Sequence, residues 1–154
     1  MAEEKVVATN RKARRDYFIL DTYEAGIQLQ GTEVKALRQA KANLNDSFAR
    51  VTDAEIFVYS LNISPYSHMS QEDYNPARPR KLLLHKKEIK KINSRLSAKG
   101  LTMVPLKIYF KHGIAKVELA LCKGKRLYDK RRQLRKKTAQ REIQRALKGN
   151  RPHH

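Results

Sequence analysis

The chain has a single cysteine, no tryptophan, and no apolar run approaching the roughly 18 residues of a membrane span. Each absence excludes a class. A disulfide scaffold needs paired cysteines and a zinc ribbon needs clustered ones, and Cys122 stands alone. The start, Met1-Ala2-Glu3-Glu4-Lys5, lacks the apolar stretch of a signal peptide, so the expectation is a soluble protein of a reducing cytoplasm. None of the HExxH, GxSxG, P-loop or paired-cysteine motifs is present, and the five histidines fall in no ligand pattern. The sequence therefore predicts no enzyme, no metal, no cofactor and no small-molecule substrate.

Acidic residues are also scarce. Against 34 Lys plus Arg stand 15 Asp plus Glu in 154 residues, a net charge of +19. That charge is unevenly placed. Residues 123–154 hold thirteen Lys or Arg against only Asp129 and Glu142, a net +11, which leaves +8 for residues 1–122. Like charges at that density repel and little apolar surface compensates, so the reading is a tail disordered when free. A polyanion would relieve the repulsion and release counterions. Nucleic acid and anionic membrane both qualify as that polyanion. The tail has no Trp or Phe and few apolar side chains, which favours nucleic acid over a membrane. Ala139, Ile143, Ala146 and Leu147 nevertheless fall at helical spacing, so the tail is expected to fold into a thin-striped basic helix on binding.

Ahead of the tail, the pattern is mostly short strands. Residues 1–9 read as a flexible lead, followed by a basic lead-in, Asn10-Arg11-Lys12-Ala13-Arg14-Arg15. Strands are expected at residues 16–21 and 24–30, and a helix at 33–40. A hairpin over 47–52 and 55–61 turns at Asp53-Ala54. Residues 64–81, with three prolines, form a long loop of the kind that carries function. Ile89, Ile92 and Leu96 set a helix over 82–99, with Gly100 as its C-terminal stop. Val104, Leu106, Ile108 and Phe110 then alternate with Pro105, Lys107, Tyr109 and Lys111, and His112-Gly113 turns the chain into a second alternating run through Val117, Leu119 and Leu121. About six strands and two or three helices make a small antiparallel β-barrel of the oligonucleotide-binding type the simplest fold; a flat α+β sandwich satisfies the same pattern.

Three residue groups invite functional readings. Glu24 and Glu33 are carboxylates in a basic protein, which fits either a surface ion pair or the orientation of a nucleic-acid contact. Tyr17, Tyr59 and Tyr109 lie on strands, where they either stack on bases or pack at the rim. Leu82-Leu83-Leu84 reads as a core anchor with a basic flank, and Cys122 as a buried thiol.

Four stretches together resemble the SsrA-binding protein (small protein B) family nearly end to end: Asn10 to Arg14 before Asp16-Tyr17-Phe18-Ile19; Glu24-Ala25-Gly26-Ile27 through Gly31-Thr32-Glu33-Val34-Lys35-Ala36-Leu37-Arg38; Arg80-Lys81-Leu82-Leu83-Leu84-His85; and Lys123-Gly124-Lys125 leading to Tyr128-Asp129-Lys130-Arg131. The resemblance implies an RNA-binding barrel over residues 10–122 and a tail over 123–154. It implies transfer-messenger RNA (SsrA) and the ribosome, mainly small-subunit RNA, as partners in trans-translation. The protein body would replace the missing anticodon arm, and the tail would probe the decoding centre and the empty messenger channel. A general single-stranded-RNA or ribosome-associated barrel is the alternative.

Carried over position by position, Asn10, Glu24, Leu83 and Lys116 would touch RNA. Charge adds Arg11, Lys12, Arg14, Lys123 and Lys125 to that surface. Gly124 would be a flexible joint. Tyr128, Asp129, Lys130 and Arg131 would meet the decoding centre, followed along the tail by Lys136, Lys137, Ile143 and Leu147. Arg15 stands where members often carry His, and Tyr128 where some do, which suits Tyr128 to stacking rather than proton chemistry.

Overall fold

The alternation of residues 104–121 organises the molecule. In the computed structural model, which describes residues 4–65, 74–97 and 100–149 (for 126–133 and 148–149 the backbone only), this segment forms two long antiparallel strands. The elements in chain order are β1 (Glu4–Thr9), α1 (Arg11–Asp16), β2 (Tyr17–Ile27), α2 (Gly31–Arg38), β3 (Ala42–Asn43), β4 (Phe48–Thr52), β5 (Glu55–Tyr59), β6 (Asn62–Ile63), β7 (Arg80–Leu83), α3 (Lys86–Leu96), β8 (Leu101–Lys111), β9 (Ile114–Gly124) and α4 (Lys125–Gly149).

Six strands close on themselves in the order β8-β4-β5-β7-β2-β9, with β9 returning to β8, so the sheet is a ring. β1 adds to β8 outside that ring, and β3 pairs with β6 in a separate two-stranded sheet. Every pairing is antiparallel. The ring holds one main core, in which Ile56, Val58, Leu82, Met103, Ile108, Val117, Leu119 and Leu121 from four strands meet Leu37 of α2 and Ile89 and Ile92 of α3. A smaller cluster lies on the outer side, where α1 lays Ala13 on Val104, Leu106, Ala120 and Cys122.

That second cluster corrects the simple alternation. A bulge between Pro105 and Lys107 shifts the β8 register, so Val104 and Leu106 face α1 while Ile108 and Phe110 face the barrel interior. Residues 16–21 and 24–30 do not form two strands. Tyr17–Ile27 is one strand, β2, bulged between Ile19 and Asp21, with Asp16 closing α1 and residues 28–30 following the strand. The expected helix over 82–99 is shorter, because Arg80–Leu83 pairs with β2 and β5 and the helix starts only at Lys86. Residues 4–9, read as part of a flexible lead, form β1, held to β8 by ladder bonds that composition does not disclose. Of the long loop at 64–81, residues 66–73 lie outside the described residues.

Lys125–Gly149 form a helix, α4, the conformation that the sequence reading expects of the tail on binding. Its residues 126–148 contain neither Gly nor Pro and are rich in Arg, Lys, Gln, Leu and Ala, which favour local helical bonds. Residues 134–147 are exposed throughout, so this part of the helix draws no support from the barrel core.

Candidate nucleic-acid interface

Strand register assembles the outer face. Ala25 and Ile27 point into the core, so Glu24 and Gly26 point outward. Gly26 stands opposite Leu83 on one side and Lys116 on the other; Lys116 stands opposite Tyr109, and Tyr109 opposite Val6. One row thus crosses five strands: Leu83, Gly26, Lys116, Tyr109, Val6. The next row places Glu24 opposite Glu118, and Glu118 opposite Lys107. Glu24, Leu83 and Lys116, distant in sequence, therefore share one patch.

The details of that patch are chemical. The three leucines of 82–84 separate as a strand requires: Leu82 is buried and Leu83 is 51% exposed. A Cβ at Gly26 would lie 3.1 Å from the Leu83 Cβ, so glycine there is what lets Leu83 lie across β2. Tyr109 is not a stacking platform, since it is 2% exposed. Its hydroxyl donates to Glu24 Oε2 at 2.5 Å, and Lys111 Nζ donates to the same oxygen at 3.4 Å. The Tyr109 hydrogen bond foremost, with the Lys111 and Lys116 charges, holds the Glu24 carboxyl below its ordinary value against a smaller opposing effect of burial. Glu24 is thus a fixed, exposed anion at the centre of a cationic surface. It is suited to accept hydrogen bonds from RNA hydroxyls or base amino groups and to repel misplaced phosphates.

α1 borders the second row. Arg14 reaches Glu118 at 3.7 Å, and Lys107 bridges Glu118 and Glu4 at 3.5 and 3.3 Å. Arg11 is exposed, and Lys12 pairs with Asp46 at 2.7 Å away from this row. Asn10 behaves differently from its neighbours. It is 2% exposed, its Oδ1 accepts from the Ala13 N–H at 3.0 Å, and its Nδ2 donates to the carbonyls of Leu44 at 3.1 Å and Pro105 at 3.0 Å. The expectation of direct RNA contact from Asn10 gives way to a positioning role: it caps α1 and pins it to β8.

Two further expectations change. Glu33 is no surface carboxylate. It is fully buried, takes Arg80 Nε at 2.6 Å, also accepts from Arg78, and receives the Gln30 N–H at 2.8 Å. Burial alone would raise its pKa, but Arg78, the Gln30 N–H and Arg80 together hold it below the ordinary value. Its role is to fasten the segment before β7 to α2. Gly124 is not a joint with unusual backbone angles either: it ends β9 opposite Tyr17 and lacks a positive φ.

At that end of the barrel Lys123 pairs with Phe18 in register, and Lys125 Nζ stands 5.2 Å over the Phe18 ring. Sequence reasoning missed Phe18 and Glu118; the alternation of β9 carried the signal for Glu118. The side chains of Tyr128, Asp129, Lys130 and Arg131 lie outside the described residues, whereas Lys136, Lys137, Ile143 and Leu147 are exposed on α4. Tyr59 stacks on Phe48 at 5.4 Å, and Tyr17 packs against the α1 cluster. Burial pushes the Cys122 thiol up to about 12, which makes it inert. Among the described residues no group of three His, Cys, Asp or Glu converges as a metal site, and no helix is long and apolar enough to cross a membrane.

A closed antiparallel ring whose outer face combines lysines, an exposed leucine and ion-paired carboxylates, Glu24 among them, with a basic helix leaving its rim, defines a small β-barrel of the nucleic-acid-binding class. Within that class the chain belongs to the SmpB protein family, whose model matches residues 7–149. It is similar to the SsrA-binding proteins of Desulforudis audaxviator (56% identical over 146 residues, 95% of each chain) and Moorella thermoacetica (55% over 145 residues, 94% of each). Among solved structures it matches a chain of "tmRNA-SmpB: a journey to the center of the bacterial ribosome" at a TM-score of 0.65 and 52% identity, covering 76% of this chain and 82% of that one.

Proposed function

We propose that this protein binds the tRNA-like part of transfer-messenger RNA (SsrA RNA) and acts with it on stalled ribosomes in trans-translation, without catalysing a reaction itself. The observation that carries this reading is the row Leu83, Gly26, Lys116 with Glu24 beside it, an outer face with apolar, cationic and anionic contacts at set positions. A surface meant only for phosphate has no use for a fixed carboxylate. Arg11, Arg14, Lys123 and Lys125 supply charge around this face, Lys12 stands apart on Asp46, and Asn10 orients α1. The barrel stands in for an anticodon arm. The tail enters the decoding centre and the messenger channel of the small subunit, where Tyr128, Asp129, Lys130 and Arg131 meet RNA and Lys136, Lys137, Ile143 and Leu147 follow along the channel. There the channel phosphates neutralise α4, whose helix is otherwise opposed by its own charge. Work on ribosomes is work in the cytoplasm.

The test compares affinity for the tRNA-like domain with affinity for an unrelated structured RNA across salt, for the native chain and for Glu24→Ala. The expected result is a clear preference for the tRNA-like domain that Glu24→Ala reduces by about tenfold, the size of one lost specific contact, although the variant is more basic. Equal affinities for the two RNAs at moderate salt, or tighter binding by the variant, would leave a general RNA-binding barrel as the better description.

A further inference from the structure

α3 carries a surface that the site above does not use. Ile89, Ile92 and Leu96 turn one side of this helix to the core. The opposite arc carries Lys86, Lys87, Lys90 and Lys91, all exposed, and no carboxylate. Among the described residues the only ion pair of α3 is Arg95 with Asp21 of β2, at 2.8 Å. The spacing sets Lys86 over Lys90 and Lys87 over Lys91, like-charge i,i+4 pairs that each oppose helix formation. Burial of Ile89 and Ile92 would hold α3 in place with any polar residues on its outer arc, so the fold gives no reason for four lysines there.

Position says what they face. α3 begins three residues after Leu83, and near its other end Arg95 grips Asp21. Its eleven residues span about 16 Å, and β2 from Gly26, opposite Leu83, back to Asp21 spans about 17 Å. The helix thus starts beside the Leu83 patch and is tied near its other end to β2 through Asp21, packing otherwise on β8, so that Lys86 and Lys87 follow Leu83 by three and four residues. We infer that α3 is a second contact surface for the same RNA: its lysine arc tracks a phosphate backbone leaving the Leu83 patch, widening the footprint on a structured RNA without reading its sequence. This rests on the proposed binding of the tRNA-like domain.

The test uses the full chain with all four lysines changed to Gln, a Lys→Arg version of the same four positions, and a control in which Lys136, Lys137, Arg141 and Arg145 of the tail become Gln. Affinity for the isolated tRNA-like domain is measured against salt. With each phosphate contact contributing about 0.9 to the slope of log affinity on log salt, the Gln variant should flatten that slope by about two to three and weaken binding at least about tenfold. The Arg version should restore both, and the tail control should change neither. An unchanged slope in the α3 variant would overturn the inference. So would equal flattening by the tail control, since total charge alone would then explain it. Thermal unfolding of each variant separates folding from contact. The native chain's preference for the tRNA-like domain over unrelated RNA, read in the same experiment, reports separately on the proposed function, because phosphate contacts at α3 affect the slope on any duplex RNA.

Discussion

At the scale of single residues, the two glutamates read alike from sequence and act oppositely in the fold. Both have a lowered pKa, but Glu24 stands exposed on the outer face, whereas Glu33 is sealed between two guanidinium groups. Arg80, itself fully buried, also donates to the carbonyls of Leu61 at 2.8 Å and Pro76 at 3.0 Å, so it is anchored whatever happens to Glu33. Removing the carboxylate would leave that charge buried without its counterion. Glu33→Gln is therefore expected to cost about 3–5 kcal/mol near neutral pH, the usual penalty for breaking a buried pair from one side. The pH dependence has a definite sign. Because the folded pKa lies below the ordinary 4.5, the stabilisation is complete above that value and is lost as pH falls through the folded value. Urea unfolding at about pH 7 and about pH 3 should show the native chain and the variant converging under acid. A gap that stays constant with pH would show that the ionised carboxylate is not its source.

At the scale of elements, turns were easier to place in the sequence than to evaluate. Asp53-Ala54 marks the β4–β5 hairpin correctly, and both residues take positive φ, 51° and 62°, as a tight two-residue turn requires. Alanine is poorly suited to that conformation. Ala54→Gly should stabilise the protein by about 1 kcal/mol, a gain that the greater freedom of glycine in the unfolded chain partly offsets. Thermal unfolding reads the outcome, and a lower melting temperature would refute it. The β8–β9 hairpin was legible for the same kind of reason, since alternation and His112-Gly113 determine it locally. What stayed hidden depends on partners distant in sequence. The bulge at Leu106 exists because α1 needs an apolar seat, and Asn10 caps α1 only because Leu44 and Pro105 supply carbonyls from elsewhere. Leu82-Leu83-Leu84 looked like the start of a helix because three leucines carry no period; pairing with β2 and β5 decides for a strand. Of the site itself, the resemblance named Glu24, Leu83 and Lys116, but the register that makes them neighbours, and the Tyr109 hydroxyl that fixes Glu24, required the closed ring.

At the scale of the whole molecule, the charge divides the work. Residues 123–154 carry a net +11, most of it on α4, whose residues 134–147 touch no core, while the barrel, at +8 over residues 1–122, carries the patterned face. Removing everything after Lys125 takes away no buried residue of either core cluster and keeps every charge of the barrel's RNA face, so the barrel should unfold at nearly its native temperature. Selective affinity for the tRNA-like domain should also persist, because Glu24, Leu83, Lys116 and the α3 arc all remain. Tagging of incomplete proteins on stalled ribosomes should be lost, since nothing is left to occupy the messenger channel. The informative comparison is between salt slopes. For the isolated RNA, the slope should be the same with and without the tail. For empty ribosomes, the full chain should show the steeper slope, because the tail adds its phosphate contacts only there. If truncation instead flattened the slope on the isolated RNA, the tail would be part of the recognition surface, and the division between a barrel that selects and a helix that probes would fail.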